Sequence, residues 1–321
     1  MDYNRLGHSG LRVPALSFGT GTFGGGNDFF KAWGSTDAAG ASRLIDVCLD
    51  HGVSLFDTAD VYSAGLAEQI LGEAIKGKRN RLLISTKATF PTGDGPNDYG
   101  SSRQHLLAAV EGSLKRLGVE TIDLFQLHGQ DYNTPVEETL STLDQLVRAG
   151  KVRYIGHSNF AAWQAVDAHW ISRNRGLASY VSAQNQYNLL DRRIERELVP
   201  ACREFGVGIL PYFPLASGFL TGKYKRGAEP PKGTRLAMMQ RMAKQALTDE
   251  NFATLEALEK FSSSREHTIL ELAVGWLASQ LQVSSVISGA TSPEQVTQNV
   301  KAGNWKLSAE ELAEVDKLTR R

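Results

Sequence analysis

Residues 53–87 read VSLFDTADVYSAGLAEQILGEAIKGKRNRLLISTK. The apolar run Val53-Ser54-Leu55-Phe56 predicts a strand, Leu66 to Ile75 an amphipathic helix, and Arg81 to Thr86 a second strand. One strand, a crossover helix and the next strand make a unit that buries both faces of a parallel sheet. The same rhythm extends in both directions. Upstream, Val13-Pro14-Ala15-Leu16-Ser17-Phe18 reads as a strand, and Thr36 to His51 as a helix with Ala41, Leu44, Ile45 and Cys48 on one face.

Downstream, Ser102 to Leu117 is a helix, Ile122 to Leu127 a strand, and Val136 to Ala149 a helix ended by Gly150. Val152 to Ile155, Tyr180 to Ala183, Val207 to Leu210 and Ser285 to Ile287 supply the later strands. Helices begin near Phe160, run through Glu195 to Phe205, cover Asn251 to Ser262 and Thr268 to Leu281, and open again at Pro293. Eight strand–helix units with no linker predict an α/β fold, an eightfold parallel β/α (TIM) barrel in a single domain over residues 1–321. Long loops fall at about 20–36, 89–101 and 217–250. An open doubly wound sheet is the competing topology.

The 321 residues are 41% hydrophobic and 22% charged, ordinary values for a chain with a sizeable core. Lys+Arg and Asp+Glu are both 35, which argues against a broad nucleic-acid or basic membrane surface but leaves room for a local phosphate site. The 2 cysteines, Cys48 and Cys202, lack CxxC spacing and read as buried small hydrophobes, so neither a disulfide framework nor a metal site is expected. Met1 to Gly7 has no apolar signal core, and the stretch Ile269 to Leu281 is too short to span a bilayer. A soluble cytoplasmic protein is the expectation.

Gly19-Thr20-Gly21-Thr22-Phe23-Gly24 satisfies GxGxxG after a strand. That fingerprint needs a helix to open directly at the glycines, so that its N-terminus meets a pyrophosphate. Here Gly25-Gly26-Asn27-Asp28-Phe29-Phe30 follows, and no helical pattern starts before about Thr36. The stretch reads as a strand-end loop rather than a Rossmann turn.

In a β/α barrel the functional groups sit at the C-terminal ends of strands. Asp57, Tyr62, Lys87 and His128 fall there, on three successive strands. Singly, the Asp reads as a helix cap, the Tyr as packing and the His as a structural residue; together they form a coherent chemical set. A phenol with a reference pKa near 10 is a poor acid at neutral pH. An ammonium at ~4 Å favours the phenolate by about 4 kcal/mol at an effective dielectric near 20, roughly a thousandfold in ionisation. On that basis Lys87 brings Tyr62 toward working pH, Asp57 holds Lys87 charged, and His128 donates to a substrate carbonyl. The set suits protonation of an oxygen while a hydride reaches carbon.

Asp57-Thr58-Ala59-Asp60-Val61-Tyr62, Ser85-Thr86-Lys87 and Gln126-Leu127-His128 resemble the tetrad motifs of the aldo-keto reductases. Gly150 to Phe160, Gln184 to Asn188 and Pro211 to Tyr224 match further family segments, closest to the bacterial branch near the potassium-channel β subunits. The resemblance implies a barrel that binds extended NADP(H) at the strand ends, with Tyr62 as general acid–base, Lys87 and Asp57 as its tuners and His128 as carbonyl orienter. It implies that Gly19, Thr20, Gly21 and Asp57 border the cofactor, that Ser158, Asn159 and Gln184 hold the carboxamide, and that Tyr212 stacks on the nicotinamide. Phe213, Pro214, Leu215, Ala216, Gly218 and Lys223 belong to the loop that would wrap the pyrophosphate. Gly289, Thr291, Gln295, Gln298 and Asn299 would cradle the adenosine end, and Arg235 the 2′-phosphate, so NADP(H) is expected over NAD(H). The bland readings are a surface excursion for the loop, a solvated polar face for Gln295 and Asn299, and an exposed charge for Arg235.

The substrate pocket is expected among loop aromatics, with Phe23, Trp33, Phe90 and Tyr132 as its walls; loop packing is the alternative for each. The partner would be a small carbonyl or alcohol, with no nucleic acid and no membrane. A homo-oligomer is compatible with the chain, since the channel-associated relatives form tetramers. Two other functions compete with carbonyl reduction, a Schiff-base lyase using Lys87 and a slow NADP(H)-binding redox sensor.

Overall fold

Two short strands, β1 (Tyr3–Arg5) and β2 (Arg12–Pro14), pair antiparallel as a hairpin ahead of the main sheet. The computed structural model describes residues 1–320; the side chains of Asp28 and Phe29 lie outside the described residues. The main sheet has eight strands: β3 (Leu16–Gly19), β4 (Leu55–Asp57), β5 (Leu83–Ala88), β6 (Ile122–Leu127), β7 (Val152–Ser158), β8 (Ser182–Gln184), β9 (Gly208–Ile209) and β10 (Val286–Ser288). Every neighbouring pair is parallel, and the order runs β10-β3-β4-β5-β6-β7-β8-β9. The two edges meet. Ile209 N–H donates to Gln282 O at 2.8 Å, Ser284 N–H to Ile209 O at 2.9 Å and Ile287 N–H to Pro211 O at 2.9 Å. The expected parallel β/α barrel is the fold.

Helices follow the strands nearly as the periodicity predicts. Ala38–Asp50, Leu66–Ala74, Arg103–Leu117, Val136–Arg148, Ala162–Arg175 and Leu198–Phe205 pack on the outside of β3 to β9. Asp37 and Ser102 cap the first and third of these through Gly40 N and His105 N. Four details differ from the sequence reading. A short helix, Asp28–Lys31, falls before Thr36, where no helical pattern was expected. The run Val13 to Phe18 is two strands: Pro14 ends the hairpin, Ala15 N–H bonds Asp2 O, and the barrel strand starts at Leu16. A proline has no N–H for a barrel ladder, which is why the break falls there. The long 217–250 segment is not irregular throughout, since Arg235–Met238 and Gln240–Ala246 are short helices; a last helix, Ala309–Thr319, had no forecast.

The hairpin plugs the N-terminal end of the barrel. Leu6 and Val13 pack with Leu55, Leu124, Leu210 and Ile287, all buried. His8 N–H donates to Gly206 O and Asn4 Nδ2 to Ser284 O, which pins the plug. Above this apolar layer the inward positions turn polar. Ser182 Oγ donates to Gln126 Oε1 at 2.9 Å, Gln126 Nε2 to Ser85 Oγ at 3.0 Å, and Ser85 Oγ to Asp57 Oδ1 at 2.9 Å. Gly156 makes room for this chain, because a Cβ there would lie 2.0 Å from Ser182 Oγ. The polar chain is the floor of the site.

Candidate active site

The strand period of two carries Leu55 and Asp57, Leu83, Ser85 and Lys87, and Leu124, Gln126 and His128 up the inside wall. Lys87 is therefore one layer above Ser85 and the floor, at the C-terminal mouth. Lys87 is fully buried and donates to Asp57 Oδ2 at 2.6 Å and to Thr58 O at 2.7 Å. Asp57 Oδ1 accepts from Ser85 Oγ and, at 3.0 Å, from Gln184 Nε2. Thr20 Oγ1 donates to Asp57 O at 3.1 Å. The Lys87 ammonium stands 5.1 Å from the Tyr62 ring centre and pulls on its phenol. His128 meets the Tyr62 ring edge-on at 5.7 Å. All four tetrad residues are together.

The electrostatics depart from the expectation in one respect. Burial pushes the Tyr62 phenol up, and this outweighs the downward pull of Lys87; Asp57 adds to the rise. The phenol therefore stays protonated above its ordinary value, instead of falling toward neutrality. Burial pulls Lys87 down, but Asp57 and Tyr62 more than offset it, so the ammonium is retained. Burial and the Lys87 charge hold His128 well below the usual histidine value, as a neutral imidazole. The site combines a protonated phenol, a fixed ammonium and a neutral imidazole.

Beside the tetrad, the loops that follow β7 to β10 carry the other expected site residues. Tyr212 is half-buried, and its hydroxyl donates to Asn159 Oδ1 at 2.7 Å. Asn159 Nδ2 in turn donates to His128 O and to Ser158 Oγ. Residues 213–218 hold a run of positive φ at Phe213 (54°), Ala216 (46°), Ser217 (60°) and Gly218 (88°). Such backbone persists only where the surroundings impose it, and it concentrates at ligand-holding loops. Pro214 is buried and Leu215 half-buried within this loop. Lys223 and Arg235 converge past it, and each lacks a carboxylate partner among the described residues. Arg235 Nε is buried without an acceptor, and burial pulls the guanidinium down to about 10. Two uncompensated cations beside a strained glycine-bearing loop fit a phosphate group.

The residues expected to meet adenosine lie together around one turn. Gln295 Oε1 accepts from Thr291 N at 2.8 Å, and Asn299 Nδ2 reaches Gly289 O at 3.5 Å. Both side chains thus lie on the face that meets the 289–291 turn, while Gln298 is exposed. Gly19 and Gly21 flank the neighbouring turn; a Cβ on Gly19 would come 3.0 Å from Ile287 Cγ2.

The four expected pocket walls separate. Phe90 packs on His128 with its ring tilted, 4.5 Å between centres, and lines the mouth. Tyr132 is on the rim, 78% exposed, accepting from Gln164 Nε2. Phe23 is a correction: it is completely buried, packed on Phe18 at 5.8 Å, because its side chain turns into the core beneath the loop. Trp33 is the other correction. It rests on Phe213 and Arg235. Phe30, from the same loop, takes the place beside Tyr62 at 5.7 Å.

Sequence reasoning gave no role to Asp60, Ser85, Gln126 or the Thr58 carbonyl. A signal for two of them was present, since Ser85 and Gln126 are polar interruptions two residues before Lys87 and His128 in apolar strands. Asp60 is 3% exposed, and neither carboxylate oxygen has a hydrogen-bond partner. Burial and neighbouring Glu68 push it up to about 7, against the pull of Arg116 and Lys87. Cys48 and Cys202 are buried free thiols, pushed up to about 12 by burial. No helix is long and apolar enough to cross a membrane among the described residues.

Fold and site together define a β/α-barrel oxidoreductase with its chemistry at the C-terminal mouth. The Aldo/keto reductase family model matches residues 15–320, and the chain belongs to that family. It is 38% identical to a probable voltage-gated potassium channel subunit beta of Oryza sativa subsp. japonica over 309 residues, 94% of this chain and 91% of the relative. The corresponding protein of Arabidopsis thaliana is equally similar, at 38% over the same shares. It is also 34% identical to the L-glyceraldehyde 3-phosphate reductase of Escherichia coli (strain K12), over 98% of this chain and 92% of the relative.

Proposed function

We propose that this chain is an NADPH-dependent reductase of small aldehydes or ketones, with Tyr62 as proton donor. One arrangement carries the reading, a fully buried Lys87 paired with the Asp57 carboxylate and standing 5.1 Å from the Tyr62 ring centre, beside a neutral His128. Reduced nicotinamide, when bound, supplies a hydride to the carbonyl carbon. The protein's own residues handle the oxygen. His128 donates an N–H to the carbonyl oxygen and orients it. Tyr62 gives its proton to that oxygen as negative charge develops there, and Lys87 stabilises the phenolate left behind. Asp57, fixed by Ser85 and Gln184, keeps the ammonium in place. Alcohol oxidation is the same path reversed.

Ser158, Asn159, Gln184 and Tyr212 would hold the nicotinamide end, residues 213–223 the pyrophosphate, and Gly289 to Asn299 the adenosine. Arg235 would meet the 2′-phosphate, which favours NADP(H) over NAD(H). The retained charge on Lys87 opposes a Schiff-base lyase, which needs a free amine. The relatives named as channel β subunits favour a second reading, a cofactor-holding subunit that turns over slowly and signals redox state to a partner.

The test is calorimetric titration with NADPH and NADH, followed by turnover of an aldehyde panel by wild type and Tyr62→Phe. Tight NADPH binding with kcat lowered by about 10²–10⁴-fold in the variant, at unchanged NADPH affinity, is the expected result. Near-normal turnover by Tyr62→Phe removes the assignment. Tight binding without turnover by wild type leaves the sensor reading.

A further inference from the structure

Trp33 belongs to the loop after β3, and its indole packs against residues that follow other strands. Its ring centre is 5.1 Å from that of Phe213 at an interplanar angle of 30°. The Arg235 guanidinium carbon lies 4.0 Å above the indole centre. On the other side, Cε3 of Trp33 is 3.8 Å from where a Cβ of Gly21 would stand. Gly21 follows β3, and Phe213 follows β9. Those strands flank β10, so the indole spans the end of β10, where the 289–291 turn begins.

We propose that Trp33 is a positioning residue for the cofactor, holding the face of the Arg235 guanidinium so that its edge stays aimed at the 2′-phosphate of NADP(H). The proposal rests on the NADPH reading given above. Guanidinium N–H groups lie in the plane of the group, whereas an indole attracts the cation through its face. Stacking and phosphate binding therefore use different surfaces of one side chain and do not compete. Arg235 needs such a hold. It has no carboxylate partner among the described residues, its Nε–H is buried without an acceptor, and Lys223 repels it from nearby. A long, flexible cation in that position turns away to solvent unless something apolar and electron-rich retains it. Phe213 backs the indole and fixes its tilt.

The test measures dissociation constants for NADPH, NADH and 2′,5′-ADP by calorimetry in wild type, Trp33→Ala, Trp33→Phe, Arg235→Ala and the Trp33→Ala/Arg235→Ala double variant. Trp33→Ala should weaken NADPH and 2′,5′-ADP by about tenfold, the order expected for a desolvated cation–π contact. NADH should change less than about twofold, since it lacks the phosphate. Trp33→Phe should recover most of the loss. In the Arg235→Ala background, Trp33→Ala should have no further effect on NADPH. Equal weakening of NADPH and NADH, a full Trp33→Ala effect without Arg235, or a Phe variant no better than Ala overturns the proposal. So does an Arg235→Ala variant that binds NADPH as tightly as wild type. If wild type binds neither dinucleotide, the NADPH reading itself fails and this proposal with it. Thermal unfolding of each variant separates these outcomes from loss of fold, and Trp33→Leu substitutes for Ala if the latter does not fold.

Discussion

Asp60, two residues before Tyr62, is a buried carboxyl with no donor to meet it. Its folded pKa of about 7 lies above the unfolded value near 3.9, so the native state prefers the protonated form. A raised carboxyl contributes stability that is complete below about pH 4 and is lost as pH rises through about 7. Asp60→Asn has nothing to ionise and escapes that loss. The variant should gain on wild type as pH rises from 5 to 8, by up to about 3 kcal/mol. Urea midpoints at the two pH values measure it; a constant gap between the proteins would count against a titrating Asp60. At this scale the tetrad was legible, because strand ends in a barrel face one mouth and four chemically compatible residues landed there. The direction of the Tyr62 shift was not. A Coulomb estimate from Lys87 alone omits the desolvation of the phenol, which only the burial reveals. Phe23 and Trp33 were misplaced for a related reason, since loop composition says which residues are aromatic and not which way each turns.

The elements that stabilise this chain are not those that carry its chemistry. The β1–β2 hairpin puts Leu6, completely buried, against the lower ends of β4, β6, β9 and β10. Leu6→Ala should cost about 2–5 kcal/mol, the range for emptying a buried leucine site. Urea denaturation reads that loss, while NADPH affinity of the folded fraction should match wild type; a parallel loss of affinity would show that plug and site are coupled. Helices were legible to within two or three residues because each shows a buried stripe at helical spacing, as in Ala41, Leu44, Ile45 and Cys48. The hairpin was not legible. Three-residue strands carry too few residues for a period, and Val13 to Phe18 looked like one run until Pro14 and Ala15 divided it between two sheets.

For the molecule as a whole, closure depends on a late segment. Residues 282–287 bond β9 on one side, and β10 pairs β3 on the other. A chain truncated before Gln282 leaves both edges open and should lose its cooperative thermal transition, as calorimetry would register; a normal transition would mean that the seven earlier strands suffice. The eightfold count was legible because β/α units repeat along the chain, although the sealing contact joins residues far apart in sequence. The polar floor has a consequence for how this protein can change. Ser182, Gln126, Ser85 and Asp57 form an interlocked mosaic, and the missing Cβ of Gly156 is one of its tiles. Mouth loops can be exchanged one residue at a time, but Gly156→Ala alone collides with Ser182. Removing the Ser182 hydroxyl would still leave its carbonyl 3.0 Å and Gln126 Cγ 3.2 Å from that Cβ. Diversity in the floor is reachable only by concerted steps, so a library built from single changes will vary what enters the barrel and leave its lysine where it stands.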